Sequence, residues 1–358
     1  MRAATASRRA KRTCRGRYPS RRRSRGVALV LVLLVVALMS IVATQLGSLL
    51  QLNIQQASNR EQYQQAYWYA QGGERLARGL IEAALEANNR IHLEQAWASP
   101  LLSYPIDGGY MQIGIVDQQA CFNLNAFSGL ETPQDGPVTA EPKPVRQFNA
   151  LLAALELDPG LGAQLVEPLR DWLDRDSLPT GINGAEDLYY TNQTPPYLSA
   201  NGPLFDLSEL AFVDGVGRSQ NPRSDEERQQ LQSLRQQLCV VASDLVELNV
   251  NTLRAEQAPL LTGLFEGKVS NDDSKEWIEA RPADGFADVD GFWALVVADP
   301  AIAALIDVAT KDQLRVSSDF FLARVEVNYY DANLVVYSRI KVRDGKPVVY
   351  QRHYGGLD

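Results

Sequence analysis

Residues that usually carry chemistry are scarce in this chain. Among 358 residues there are two histidines and three cysteines. His92 and His353 lie far apart, which argues against a histidine-rich metal site. No glycine-rich phosphate loop and no nucleophile-elbow serine occurs. Without a catalytic set, the chain reads as a protein that is not an enzyme. Paired carboxylates such as Asp174 and Asp176 keep open one alternative, a membrane-anchored periplasmic metal-dependent hydrolase. Acidic residues are missing from the first 26 positions, which hold 11 of the 35 Lys and Arg. The remainder therefore sets 24 basic residues against 43 acidic ones, a net charge near −19. A body that acidic is a poor partner for nucleic acid or for an anionic membrane surface, and a fitting one for divalent cations.

Charge of either sign is absent between Arg25 and Arg60. The run "GVALVLVLLVVALMSIVATQLGSLL", residues 26–50, is long enough to cross a hydrocarbon core of about 30 Å as a helix. A basic leader stays cytoplasmic, so the expected location is a single pass through the inner membrane with the acidic body in the periplasm. A secretory signal has a shorter apolar core followed by its cleavage site. Here the plausible cut precedes the run, at Arg25-Gly26-Val27, so the run is kept. By hydropathy alone it is an uncleaved anchor. The continuation carries no proline and repeats apolar residues at helical spacing: Leu49, Leu52, Ala66, Tyr69, Leu76, Leu80 and Ala84. That pattern predicts one helix from about Val27 to about Ala87, with Gly72-Gly73 as its soft point.

Beyond the helix, "GGYMQIGIVDQQACFNLNAF" alternates as one or two strands. A proline-rich link and a series of short helices follow. Strands return near the C-terminus in "FFLARVEVNYYD", "LVVYSRIKVRD" and "KPVVYQRHYG", with turns at Asp331–Asn333 and Asp344–Lys346. The strand region is thus split by a helical insertion.

Leader, junction and split body resemble the minor pseudopilin K family of type II secretion, within the type IV pilin-like superfamily. Three segments carry the resemblance most strongly: "CFNLNAF", "DWLDRDSLPTGINGAEDLYYTNQTPPYLSANGPLFDLSEL" and "LNVNTLRAEQAPLLTGLF". The resemblance implies an α+β pilin-like fold, a long N-terminal helix plus a small antiparallel sheet. Into it is set a large all-α domain resembling SAM and helix-hairpin-helix folds. The expected divisions are a leader over 1–26, a membrane and assembly helix over 27–50, and the first part of the body over 51–130. The insertion would cover 131–315 and the C-terminal strands 316–358. A prepilin peptidase would cut between Gly26 and Val27 and methylate Val27. Where the family usually has Glu, this chain has Leu31. That Glu is thought to neutralise a neighbour's amine, so an apolar residue suits a subunit with nothing stacked above it. The implied role is a tip subunit that initiates or caps the pseudopilus with minor pseudopilins I and J. Such a tip drives protein secretion across the outer membrane and can touch secreted substrates. A DNA-uptake pilin is the remaining alternative. It is opposed by Glu256, Glu266, Asp272 and Asp273 around Arg254 and Lys268, and no nucleic-acid partner is expected.

Candidate ligands concentrate after Asp171. Asp171, Asp174, Asp176, Glu186, Asp187 and Asn201 lie on a Gly- and Pro-broken segment of the kind that offers calcium its roughly six to eight oxygens. The spacing is not that of an EF-hand, because the next ligand position falls on Leu178. A solvated loop with Asp residues capping helices is the alternative. The family resemblance implies a structural calcium. Cys121 and Cys239 border the insertion, and an oxidising periplasm favours a bridge between them over two buried free thiols.

Overall fold

The computed structural model describes residues 25–100, 102–128, 130, 141–157, 159–215 and 232–355. The leader up to Ser24, most of the proline-rich link and the segment "DEERQQ" at 225–230 lie outside the described residues. The chain forms two units, residues 1–60 and residues 61–358. In the first, the described residues belong to helix α1 (Arg25–Asn88), whose residues 26–60 are all exposed. The helix contains a stretch of mean hydropathy 3.0, apolar and long enough to cross a membrane.

The second unit holds a five-stranded antiparallel sheet in the order β1-β2-β7-β8-β9. Its strands are β1 (Leu102–Ile106), β2 (Gly109–Asp117), β7 (Phe320–Tyr329), β8 (Ala332–Arg343) and β9 (Lys346–Tyr354). The C-terminal part of α1 lays one stripe on this sheet: Ala66, Ala70, Gly73, Ala77 and Ile81. Opposite them are Met111, Ile113, Ile115, Ala323, Val325 and Val327. Small side chains on the helix let the two layers approach closely.

Gly73 shows how closely. A Cβ there would lie 2.6 Å from Val325 Cγ1 and 2.9 Å from Met111 Sδ, whereas a Cβ on Gly72 would meet nothing within 4 Å. The helix runs unbroken through the Gly72-Gly73 pair, and Gly73 is where helix meets sheet. Gly72→Ala is expected to raise stability by up to about 1 kcal/mol through helix propensity. Gly73→Ala is expected to lower it by about 1 kcal/mol or more through overpacking. Opposite shifts of the thermal midpoint for these adjacent substitutions check the packing; equal shifts contradict it.

The chain leaves the sheet after Asp117 and returns at Phe320. Between them lie α2 (Lys143–Ala154), α3 (Pro159–Leu173) and the helices Ala258–Leu264, Asn271–Glu279 and Val289–Val296. Two short parallel pairs stitch the block together. In one, β3 (Phe122–Asn123) meets β4 (Leu238–Cys239); in the other, β5 (Leu248–Asn249) meets β6 (Leu314–Arg315). Phe122, Leu124 and Phe127 pack in the core of the helical block, so the hand-over from the sheet comes before residue 130. The helix Ala258–Leu264 is buried except at the half-buried Pro259, and a Cβ on Gly263 would lie 2.9 Å from Leu151 Cβ and 3.0 Å from the Gln147 carbonyl of α2. The "APLLTGL" part of "LNVNTLRAEQAPLLTGLF" is thus spent on packing. The first C-terminal hairpin turns at Tyr330-Asp331, one residue earlier than its sequence suggests, because Tyr330 adopts a positive φ of 48°.

Two asparagine pairs explain why "FNLNAF" and "LNVNTL" stand out. The Asn123 side chain donates to the Ser243 and Leu245 carbonyls, and that of Asn125 to the carbonyls of Leu204 and Val241. Asn125 Oδ1 also accepts from the Leu204 amide at 2.8 Å. Asn249 donates to the Ile91 carbonyl and to Ser318 Oγ, while Asn251 brackets Phe286 through both its N–H and its C=O. Buried amides here replace the hydrogen bonds that loop backbones cannot make among themselves. Cys121 and Cys239 are joined by a disulfide with a Cα–Cα distance of 5.7 Å.

Candidate metal centre

Helix α3 ends at Leu173, and the Asp174 amide still donates to the Arg170 carbonyl at 2.8 Å. The chain then folds back in a loop that brings Glu186 to Asp174 and Asp176. One oxygen from each of these three carboxylates lies within 4.8 Å of the others. The loop is held from α3. Asp171 accepts the Thr180 amide at 3.0 Å, and Glu167 accepts the amide and the side-chain N–H of Asn183 at 2.7 and 3.0 Å. Gly184 allows the return, since a Cβ there would lie 2.5 Å from the Thr180 backbone.

Acceptors outnumber donors in this pocket. Asp174 is 3% and Glu186 4% exposed, yet both oxygens of Asp174 and Oε1 of Glu186 have no hydrogen-bond partner. The Ser199 hydroxyl sits among three acceptors: Glu186 Oε2 at 3.4 Å, Asp187 Oδ1 at 3.0 Å, and Asn201 Oδ1. Burial, followed by the like charges of Asp176 and Asp171, pushes the Asp174 carboxyl up to about 6. The Asp176 backbone amide opposes this only weakly, lying outside hydrogen-bond geometry. Burial, followed by Asp171 and Asp174, pushes Glu186 up to about 7. Desolvated carboxylates without donors are costly unless a cation or a proton compensates them. Hard divalent ions take such all-oxygen sets.

Of the six candidate ligands, Asp174, Asp176 and Glu186 come together. Asp171 stands outside this trio and braces the loop through Thr180. Asp187 also stands outside it and accepts the Ser199 amide at 3.0 Å. Asn201, at a positive φ of 45°, reaches the same site through Ser199. Sequence reasoning missed Glu167 and Ser199. Glu167 could have been found, because it lies four residues before Asp171 on the same face of α3. Ser199 carries no signal of its own. Around the centre, Trp172 packs edge-on against Tyr190 with centroids 5.2 Å apart, and Tyr190 is fully buried. Tyr189 is half-exposed and its hydroxyl donates to Asp214 at 2.6 Å. Gly26, Val27 and Leu31 are exposed on α1.

Comparison with known proteins finds relatives of the chain as a whole. Residues 120–242 and 248–316 match two family models, both described as type II secretion system protein K. Type II secretion system protein K of Aeromonas hydrophila is 34% identical over 348 residues, 95% of this chain and 100% of the relative. That of Klebsiella pneumoniae is 34% identical over 93% of this chain and 97% of its own. Among solved structures, the GspK-GspI-GspJ complex from the enterotoxigenic Escherichia coli type 2 secretion system holds a similar chain. The two are 30% identical with a TM-score of 0.69, over 84% of this chain and 99% of that one.

Proposed function

This chain belongs to the type II secretion system protein K family and is a minor pseudopilin of that system, and from this we propose that it forms the pseudopilus tip with minor pseudopilins I and J. The solved relative, a complex of K with I and J, supports those partners. Leu31 supports a terminal place, since a subunit with none above it has no amine to neutralise. A helical insertion of this bulk would also obstruct further stacking. In this reading a prepilin peptidase cuts after Gly26, the apolar part of α1 stays in the inner membrane, and the acidic body works in the periplasm. Its work is assembly rather than catalysis. The family match gives no support to the hydrolase alternative.

Calcium belongs to this proposal as a structural ion. The observation that carries it is the set of three buried carboxylate oxygens without donors, two on Asp174 and one on Glu186. Asp174, Asp176 and Glu186 would hold the ion, with Asp187 and Asn201 at its border. When bound, it would neutralise the repulsion inside the pocket and tie the end of α3 to the loop that follows.

Trp172, two residues before Asp174, provides the probe. Terbium added to the calcium-free protein in detergent should luminesce on tryptophan excitation, and calcium should quench the signal by competition. Calcium at about 100 times its dissociation constant should stabilise the body by about 2.7 kcal/mol. Asp174→Asn should melt higher than the wild type in chelator and gain nothing from calcium, because it relieves the repulsion and removes the ligand. Equal melting of the wild type with calcium and with chelator would end the calcium reading.

A further inference from the structure

The segment bordering the metal centre runs on to the sheet. The Asn201 side-chain oxygen meets the Ser199 hydroxyl, and residues 201–206 form a strap that leads away from the centre. Near its start, the Gly202 amide donates to the Trp172 carbonyl at 3.4 Å. Further on, the Asn125 side chain holds both the amide and the carbonyl of Leu204, at 2.8 and 3.0 Å. At its end, Asp206 uses both carboxylate oxygens. Oδ1 accepts the Ser208 amide at 2.9 Å, and Oδ2 accepts Arg339 at 2.9 Å.

Arg339 belongs to β8 of the sheet and is 7% exposed. Its other terminal nitrogen donates to the Val240 carbonyl at 2.5 Å, just past β4. One guanidinium from the sheet thus holds two segments of the helical block. Among the described residues, no other ion pair joins the five-stranded sheet to that block. A buried pair of this kind adds little stability over an apolar pair of equal volume. It is strict about position, however, because a displaced partner leaves a buried charge unpaired. A cation on Asp174, Asp176 and Glu186 would order the start of the strap, since the Ser199 hydroxyl lies between Glu186 and Asn201. Arg339 orders its end. Ordering one end lowers the entropic cost of ordering the other, and such coupling is reciprocal. Resting on the calcium reading above, we propose that Arg339 and Asp206 are positioning residues for the metal centre, which couple ion binding to the seating of the helical block on the sheet.

The test titrates the full chain in detergent with terbium on tryptophan excitation, then displaces the terbium with calcium. Arg339→Met combined with Asp206→Asn removes both charges, leaves no buried ion unpaired and keeps the oxygen that accepts the Ser208 amide. This double variant should bind calcium about tenfold more weakly than the wild type. Arg352→Met, which breaks the ion pair to Glu74, should lower the melting temperature and leave calcium affinity unchanged. In the reciprocal measurement, calcium should slow hydrogen exchange at the Phe205, Asp206 and Ser208 amides about tenfold in the wild type, and not in the double variant. Equal calcium affinity for wild type and double variant would overturn the inference and leave the calcium reading standing. Exchange at these amides that ignores calcium in the wild type would overturn it without any variant. A loss of affinity in Arg352→Met as large as in the double variant would also overturn it and assign the effect to general stability. If the wild type takes up no terbium, the calcium reading itself fails, and the inference fails with it.

Discussion

Replacing both Cys121 and Cys239 by serine should lower the unfolding free energy of the body by about 4 to 5 kcal/mol. The bridge spans 118 residues, and closing a loop of that order removes this much freedom from the unfolded chain in the entropic treatment. Its position makes the effect global. Cys121 follows β2 by four residues and Cys239 ends β4, so the bond ties the start of the insertion to a strand deep within it. Such a loss is comparable to the whole stability of many domains. Denaturation with and without reductant measures it: the midpoint should fall sharply on reduction in the wild type and stay fixed in the double serine variant. A wild-type midpoint that ignores reductant would mean that the bridge constrains nothing.

Glu74→Ala should cost about 2 kcal/mol, because it removes the charged acceptor of Arg352 and Ser338, while the 40% exposed Arg352 side chain can turn to solvent. Glu74 is 2% exposed beneath the sheet. Arg352 donates to it twice, at 2.5 and 2.8 Å, and Ser338 once at 2.7 Å. Burial pushes this carboxyl up, but the hydrogen bonds from Arg352 and Ser338 and the arginine charge outweigh it and hold it below its ordinary value of 4.5. The sign of the pH effect follows from that depression. Glu74 contributes stability at every pH above about 4.5, and the contribution is lost as pH falls from there through the lowered value. Melting curves from pH 7 to pH 3 should therefore converge for wild type and Glu74→Gln at the acid end and diverge at neutrality. A constant gap across that range would show that Glu74 acts through packing alone.

How far the sequence revealed this molecule depends on the range of the interactions concerned. Helix α1 was legible because a proline-free, periodic run is a local signal, and so were β7 to β9, whose alternation is local too. Gly73 was misread for the converse reason: propensity sees a glycine in a helix, while its purpose is set by Val325, more than 250 residues away. Asn123, Asn125, Asn249 and Asn251 were visible as a motif but not as a device, because most of their partners lie dozens to more than a hundred residues distant. The candidate metal centre was legible in composition but not in assignment. Aspartates crowd the segment after Asp171, yet only the fold separates Asp174, Asp176 and Glu186 from Asp171 and Asp187, whose oxygens serve Thr180 and Ser199.

The central claim is that this chain is processed and assembled as a tip pseudopilin. It is tested most directly by the intact mass and N-terminus of the protein recovered from membranes containing its own prepilin peptidase. The account predicts a chain that starts at Val27, with a methyl group on its amine. A chain that keeps Arg25 and the basic leader ahead of it would contradict the account and leave α1 as a simple anchor.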